Sequence, residues 1–553
     1  MRSVLVACAA ALVGCATASP VGALRFANQP PVTRVNDRAD VPAPPPASIR
    51  RPHLDDLDAF YVRALTRALD VRDPHRATDV NAMDELPDST WFHNRIGVRA
   101  LSPDELRRGP GAADGPDGHL PWTVIGARAG ASLSLSIRDA SGRAYTLLFD
   151  RRGYPELETA ADVIAQRIFW ACGWNVPDDR IVTVRRRQLV VADGATVDDG
   201  RGSRRPLSRA ALDQLLGALL LDPSAPLRAV ARRGPDGVAL GGWAGEGVRA
   251  GDPNDVIAHE DRRAVRGLGV VAAWVGHVDL GEATTRDLWV ADATDPARHY
   301  VAHYLWDFRT ALGARAYVDR RPDAGFARST DLSVAIGSLV SLGAWLRPWE
   351  GIRRADRPGV GLFEADRFDP ARFTTRTPYL PAGDADRFDG FWAARLVARF
   401  TPAQLQAIAE AAGYSHADST AYVVSALRAR QRRIARYWFA RVAPLDRLAV
   451  AQPGTLCFDD LLLTYRLGGA ATTRYQVELF DYRSRAVGWE AWAAAAPGGR
   501  TCVSGVRPGP IRGGYVIARI TVWRGKRALP PLEAHLADDP ATHRLRVIGL
   551  RRR

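Results

Sequence analysis

Between residues 132 and 173 the chain changes its period twice, and this restricts the fold more than any other stretch. Ser132-Leu133-Ser134-Leu135-Ser136-Ile137-Arg138 alternates strictly, as a half-buried strand does. Asp139-Ala140-Ser141-Gly142 is a turn, and Arg143 to Asp150 returns as a second strand, so the two runs read as a hairpin. The period then lengthens. Ala160, Ile164, Ile168 and Ala171 line one helical face with Val163 beside them, and Gly173 stops the helix. Ile181 to Val184 and Gln188 to Val191 read as another strand pair. The expected unit is a small antiparallel sheet with one helix packed on it.

Texture divides the rest of the chain. Residues 1–15 form a short leader and residues 16–53 are proline-rich, an extended tether by composition. An N-terminal α/β lobe is expected over 54–200, with a capping box at Ser102-Pro103-Asp104-Glu105. A mainly helical lobe follows over 201–445. Ser208 caps a helix to Leu220, and Glu260 to Gly276 carries Val265, Leu268, Ala272 and Val275 on a helical pattern. Leu288 to Ala291 and Tyr300 to Leu305 form a hairpin. Thr401-Pro402-Ala403-Gln404 opens a helix to about Ala412, and a basic amphipathic helix spans about Asp418 to Val442. The uncharged run Leu332 to Leu346 has the length of a buried helix, not of a membrane span. Beyond Pro444 the β-rich runs Cys457 to Tyr465, Tyr475 to Phe480, Tyr515 to Trp523 and Arg544 to Leu550 predict a separate β domain over 446–553, a sandwich by strand count. The fold class is therefore α+β.

The composition is globular, with 46% hydrophobic and 25% charged residues. All but one of the 75 basic residues are arginine, the exception being Lys526. Any mechanism that needs a lysine upstream of Lys526 is excluded, whether a phosphate-gripping lysine or a Schiff base. The net charge of +14 is spread along the chain, and no basic block exceeds three residues. With no zinc-finger spacing and no RNA-binding aromatic motif, a nucleic-acid partner is not expected.

At the N-terminus, Met1-Arg2 precedes the apolar stretch Val4 to Val13 and then Leu12-Val13-Gly14-Cys15. This order resembles a bacterial lipoprotein signal with its lipobox. The resemblance makes Cys15 the first mature residue and the site of lipidation, so the membrane is a partner through the lipid. The protein is then exported to the cell envelope. Ala16 follows the cysteine and no Asp retention signal is present, which favours the outer membrane over the inner. An unidentified envelope protein or polymer is the further partner expected. Cys457 and Cys502 are a candidate disulfide in such an oxidising compartment, whereas Cys172 reads as a packed core thiol.

The densest polar stretch runs through Asp252-Pro253-Asn254-Asp255, His259-Glu260-Asp261-Arg262-Arg263, His277-Val278-Asp279 and His303-Tyr304-Leu305-Trp306-Asp307-Phe308. A small sheet with one helix, then His-x-Asp, then Asp-Phe in a helical region, resembles the protein-kinase layout, whose pattern is His-x-Asp-x4-Asn and then Asp-Phe-Gly. The resemblance implies Asp279 at the catalytic-base position, His277 at the structural histidine, and Asp307 holding Mg²⁺. Glu156 or Glu158 would be the helix glutamate, and ATP with Mg²⁺ the cofactors. The departures are specific. Leu147 and Leu148 stand where the strand lysine belongs, Thr284 replaces the second metal-binding Asn, and Arg309 replaces the glycine after Asp-Phe. Arg128 and Arg309 are the candidate substitute cations, because guanidinium binds phosphate bidentately.

Longer segments resemble an uncharacterised set of bacterial predicted lipoproteins. These are Val80 to Phe92, Tyr154 to Thr159, Asp252 to Asp255 with His259-Glu260 and Arg262-Arg263, and Phe391 to Arg395. Members of that set carry Lys, Asn and Gly at the positions of Leu148, Thr284 and Arg309, so the resemblance implies a degenerate member. The function expected is a lipid-anchored binding or scaffold protein with lost or altered phosphoryl transfer. The alternatives are an active atypical kinase or a metal-dependent hydrolase of the Asp279/Asp307 cleft, with His299 and His303 as added ligands.

Overall fold

A computed structural model of the chain describes residues 21–553 apart from 49–57, 70–74, 112–114, 120, 131, 201–202, 220–225, 322, 329–331, 342–346, 348, 351, 353–356 and 453. The expected leader and Cys15 lie outside the described residues. The fold is mixed α+β with several sheets. The chain forms two compact units, a larger one over 31–444 and 461–468 and a smaller one over 21–30, 445–460 and 469–553.

The larger unit is built on a seven-stranded sheet. Its strands are β1 (Trp122–Ala129), β2 (Leu133–Arg138), β3 (Ala144–Phe149), β4 (Asp178–Val184), β5 (Leu189–Asp198), β6 (Arg204–Pro206) and β7 (Leu227–Arg233), in the order β4-β7-β3-β2-β1-β5-β6. The expected hairpin is β2–β3, with Ser134 opposite Leu148. The expected pairing of Ile181–Val184 with Gln188–Val191 does not occur. β4 pairs with β7, and β5 runs parallel to β1, so the two segments lie far apart in a mixed sheet. Leu147 and Leu148 point to opposite faces, as neighbours in a strand must. Leu147 packs with Leu212 and Leu216 of the helix Arg209–Gly217, and Leu148 with the helix Leu157–Cys172.

Five helices frame the core of this unit: α1 (Leu157–Cys172), α2 (Leu268–Val275), α3 (Arg387–Ala398), α4 (Pro402–Ala411) and α5 (Ala417–Phe439). The capping box expected at Thr401 is present. The helical pattern over 260–276 is broken into a 3-10 turn, a short helix and α2. α2, α3 and α5 bury Trp274, Trp392 and Leu427 in the core that also holds Ile164 and Phe169 of α1. A second hairpin, β9 (Thr285–Ala291) with β10 (His299–Leu305), carries the short β8 (Val238–Ala239) on its edge. The uncharged run expected as a buried helix is helical over Leu332–Val340, yet Leu339 and Val340 are 75% and 78% exposed. Residues 31–48, expected as a free tether, lie against this unit: Val35 N donates to Asp88 O and Val41 N to His299 O. Among the described residues no helix is long and apolar enough to cross a membrane.

The smaller unit contains two sheets. One has the order β11 (Leu445–Gln452), β12 (Thr455–Asp460), β15 (Arg500–Ser504). The other has the order β14 (Ala486–Ala494), β13 (Thr473–Asp481), β16 (Val516–Arg524), β18 (Leu532–Asp538), β19 (Leu545–Arg552), with β17 (Arg527–Ala528) beside β16. The run expected as a strand from Cys457 to Tyr465 leaves the sheet at Asp460 and becomes a helical turn, Leu461–Thr464. Cys457 and Cys502 face each other in register on β12 and β15 and form a disulfide.

Candidate functional site

The β9–β10 register assembles the site. Thr285 pairs with Leu305, so Thr284 and Trp306, the residues just outside the hairpin, are neighbours. Trp306 N donates to Thr284 O at 2.7 Å. The segment holding His277 and Asp279 enters this hairpin, and the segment holding Asp307 and Arg309 leaves it. Two motifs about thirty residues apart are thereby brought together by one strand pairing.

Asp307 is bound by its own neighbour. Arg309 Nη2 donates to Asp307 Oδ2 at 2.6 Å and Nε to Oδ1 at 3.1 Å, a fork on both carboxylate oxygens. The backbone N of Arg309 also donates to Oδ1 at 3.1 Å, and Nη1 donates to Ser132 Oγ at 2.6 Å. Burial acts to raise the Asp307 carboxyl, but Arg309 and then Arg232 outweigh it and hold the group below the usual carboxylate range. The remaining face of this loop is fixed from behind. Phe308 N donates to Asp162 Oδ1 at 2.9 Å, and Arg232 bridges the buried Asp162 and Asp179 at 2.7 and 2.8 Å.

The start of helix α1 places one of the two candidate glutamates here. Asp150, at the end of the first hairpin, accepts from the backbone N of Glu156, Glu158 and Thr159, each at 2.9 Å, and so sets the helix start. Glu158 is buried, which raises its carboxyl, while Arg151 at 3.3 Å and then Arg309 oppose the rise. Glu156 takes a left-handed conformation with φ 66° and accepts from Ser415 N at 3.1 Å, so it is engaged elsewhere. Arg128 is exposed on β1, paired through its backbone with Ser134 and Asp198.

The other motif is similarly engaged. The Asp279 carboxylate is held by Arg376 Nε, and Arg376 N donates to Val278 O at 2.8 Å. The Thr284 hydroxyl lies 2.7 Å from Asp279 O and 3.0 Å from Gly281 O, and so closes the turn after Asp279. Burial lowers the His277 imidazole. His277 packs against Phe308 and Phe169 with ring centroids 5.9 and 6.2 Å apart, and its Nδ1 lies 3.1 Å from Thr310 Oγ1. Its setting is structural. It joins α1 to the Asp307 loop.

The polar stretch at 252–263 turns out to be a closed network. Asp255 receives Arg262 Nη2 at 2.7 Å and lies 2.7 Å from His259 Nε2. Burial acts to raise this carboxyl, but His259 outweighs it and holds it low. Arg249 and His303 both grip Asp287, at 2.6 and 2.7 Å, and His303 stacks on Trp91 at 3.7 Å. His299 stacks on Trp289 at 3.9 Å. Among the described residues no group of three or more His, Cys, Asp or Glu side chains is arranged to hold a metal ion. Cys172 is fully buried and burial pushes its thiol up, which removes it as a nucleophile.

Three participants are invisible in the sequence. Arg376 lies 97 residues from Asp279, with no local signal to link them. Ser132 reads only as part of a strand pattern. Arg232 sits in a central strand, where an arginine ordinarily marks a solvent face. Comparison with family models, curated proteins and solved structures gave no match to this chain.

Proposed function

We propose that this chain is an exported, lipid-anchored envelope protein whose kinase-like bilobal core has lost phosphoryl transfer and serves as a binding or scaffold element. The sheet with α1, the helical region beyond it and the joined His277/Asp279 and Asp307/Arg309 motifs support the kinase-like reading. The two sheets of the smaller unit support a sandwich-like interaction module. Cys15 carries the lipid, and the outer membrane is the favoured location.

One observation carries the loss of activity. The Arg309 guanidinium covers both carboxylate oxygens of Asp307, and an adjacent divalent cation would have to displace a paired cation first. The residues present do not fit Mg²⁺. Thr284 offers a single neutral hydroxyl that donates to a backbone carbonyl, Leu148 offers no charge, and Asp279 is paired to Arg376. The test is a thermal-shift measurement with millimolar ATP and Mg²⁺ or Mn²⁺, for which no shift is expected. A saturable upward shift would overturn the loss of nucleotide binding. For the anchor, Cys15→Ala is expected to release the protein from membranes, and retention would refute lipidation at Cys15.

A further inference from the structure

The six-stranded sheet of the smaller unit has an outer face that is divided in two. On the β18 side, residues 21–30 cover it. Gly22 N donates to Glu533 Oε1 at 3.2 Å, and the Phe26 ring packs edge-on to His535 at 4.9 Å. Glu533 and His535 are fully buried as a result. On the β13–β14 side nothing among the described residues covers the face. Alternation along the strands places Arg474 and Gln476 of β13, Glu490 and Trp492 of β14, and Trp523 of β16 together there. Gln476 is the register partner of Trp492, and Arg474 that of Trp523.

Two indoles lie on this face, Trp523 half-buried and Trp492 exposed, with centroids 6.0 Å apart and planes tilted by 43°. Trp492 is 50% exposed. Their edges are fixed by a continuous hydrogen-bond chain. Trp492 Nε1 donates to Glu490 Oε1 at 2.7 Å, Gln476 Nε2 donates to the same oxygen at 3.0 Å, and Trp523 Nε1 donates to Gln476 Oε1 at 3.2 Å. Arg474 lies over the Trp492 ring at 5.3 Å. The rings are thus held in place before any ligand arrives, which lowers the entropic cost of binding. Glu490 Oε2 and one Gln476 amide hydrogen keep no protein partner among the described residues.

The chemistry selects the occupant. Arg474 and Arg519 are balanced by Glu478 and Glu490, with Arg519 3.6 Å from Glu478, so the patch has no net charge to attract a polyanion. Ala486 and Ala494 are the aliphatic side chains among the outward positions of β13, β14 and the facing half of β16, too little for the apolar core of a protein interface. What fits is a neutral ligand with apolar C–H faces to lie on the electron-rich rings and hydroxyls around its rim to meet Glu490, Gln476 and Arg474. We infer that this face is a glycan-binding platform, taking consecutive pyranose rings of an uncharged polysaccharide on Trp492 and Trp523. The inference is independent of the fate of Asp307 and of any kinase-like reading.

The test is isothermal titration calorimetry of the full chain with N-acetylglucosamine hexamer and with cellohexaose. Saturable binding of at least one is expected. Trp492→Ala and Trp523→Ala are each expected to weaken it about tenfold or more, the scale of an aromatic hot spot. Gln476→Ala, which keeps both indoles but removes the amide that fixes the Trp523 edge, is expected to weaken it several-fold, and unchanged melting curves would show that the variants fold. Absence of binding to both sugars, or binding that Trp492→Ala leaves unaltered, would overturn the platform. So would self-association in sedimentation that Trp492→Ala abolishes and neither sugar competes.

Discussion

At the scale of single residues, the candidate site is decided by which cation meets which acid. Asp307 stays low because Arg309 and Arg232 outweigh its burial. A carboxyl whose folded value lies below its unfolded value of about 3.9 contributes stability above that value and loses it as pH falls toward the folded one. Asp307's contribution to the stability of the larger unit is therefore expected to be lost as pH is lowered from about 5 toward 2. In Arg309→Ala the main depressing charge is gone, so the loss over that window should be shallower. At neutral pH the same variant should lose about 1–3 kcal/mol, because a half-buried carboxylate is left without its fork. Melting curves of both proteins across the acid range check this. Parallel curves would mean that Arg309 does not set the charge state of Asp307.

Among the elements, what is legible in the sequence is local. The β2–β3 hairpin follows from strict alternation and a Gly turn, and α1 from its apolar spacing and Gly173. Partner choice is not legible. β4 joins β7 instead of β5 because Arg232 of β7 finds Asp179 of β4 and Asp162 of α1, a buried triad whose members lie 53 and 70 residues from Arg232. The exposed Leu332–Val340 helix departs from expectation for a related reason, since apolar composition sets helix formation but not what covers the helix. The candidate site divides along the same line. Asp307 and Arg309 are neighbours and can be named from sequence, whereas Ser132 and Arg376 arrive through tertiary contacts. Strand geometry also makes the absent lysine testable. Ser134 faces Leu148, and Ser132, two residues along on the same face, receives Arg309. Leu148→Lys should cost about 2–4 kcal/mol by burying a charge. Combined with Arg309→Gly, the loss should be smaller than the two single losses added, because the lysine then meets Glu158 and Asp307 without a competing guanidinium. Denaturant unfolding of the four proteins measures this coupling, and strict additivity would show that position 148 and Arg309 do not share one charge environment.

At the scale of the whole molecule, the chain is two compact units, each with its own buried core. Units of this kind unfold as separate cooperative bodies when their cores are not shared. Two lesions can report on them separately. Cys457→Ser with Cys502→Ser removes a crosslink over a sequence separation of 45 in the smaller unit, which should cost on the order of 2–4 kcal/mol through the unfolded state. Gly173→Ala acts in the larger unit. The glycine has φ +137°, and an added Cβ would lie 2.2 Å from the Phe92 ring, so strain and overpacking should cost about 2 kcal/mol or more. Scanning calorimetry of the wild-type chain is expected to resolve two transitions, with the cysteine variant lowering one and Gly173→Ala the other. Reductant should reproduce the first effect and leave the second transition in place. If both lesions moved a single transition together, the two cores would be one cooperative body. A stable smaller unit that persists while the larger one melts would let the Trp492–Trp523 face keep its geometry independently of the Asp307 core.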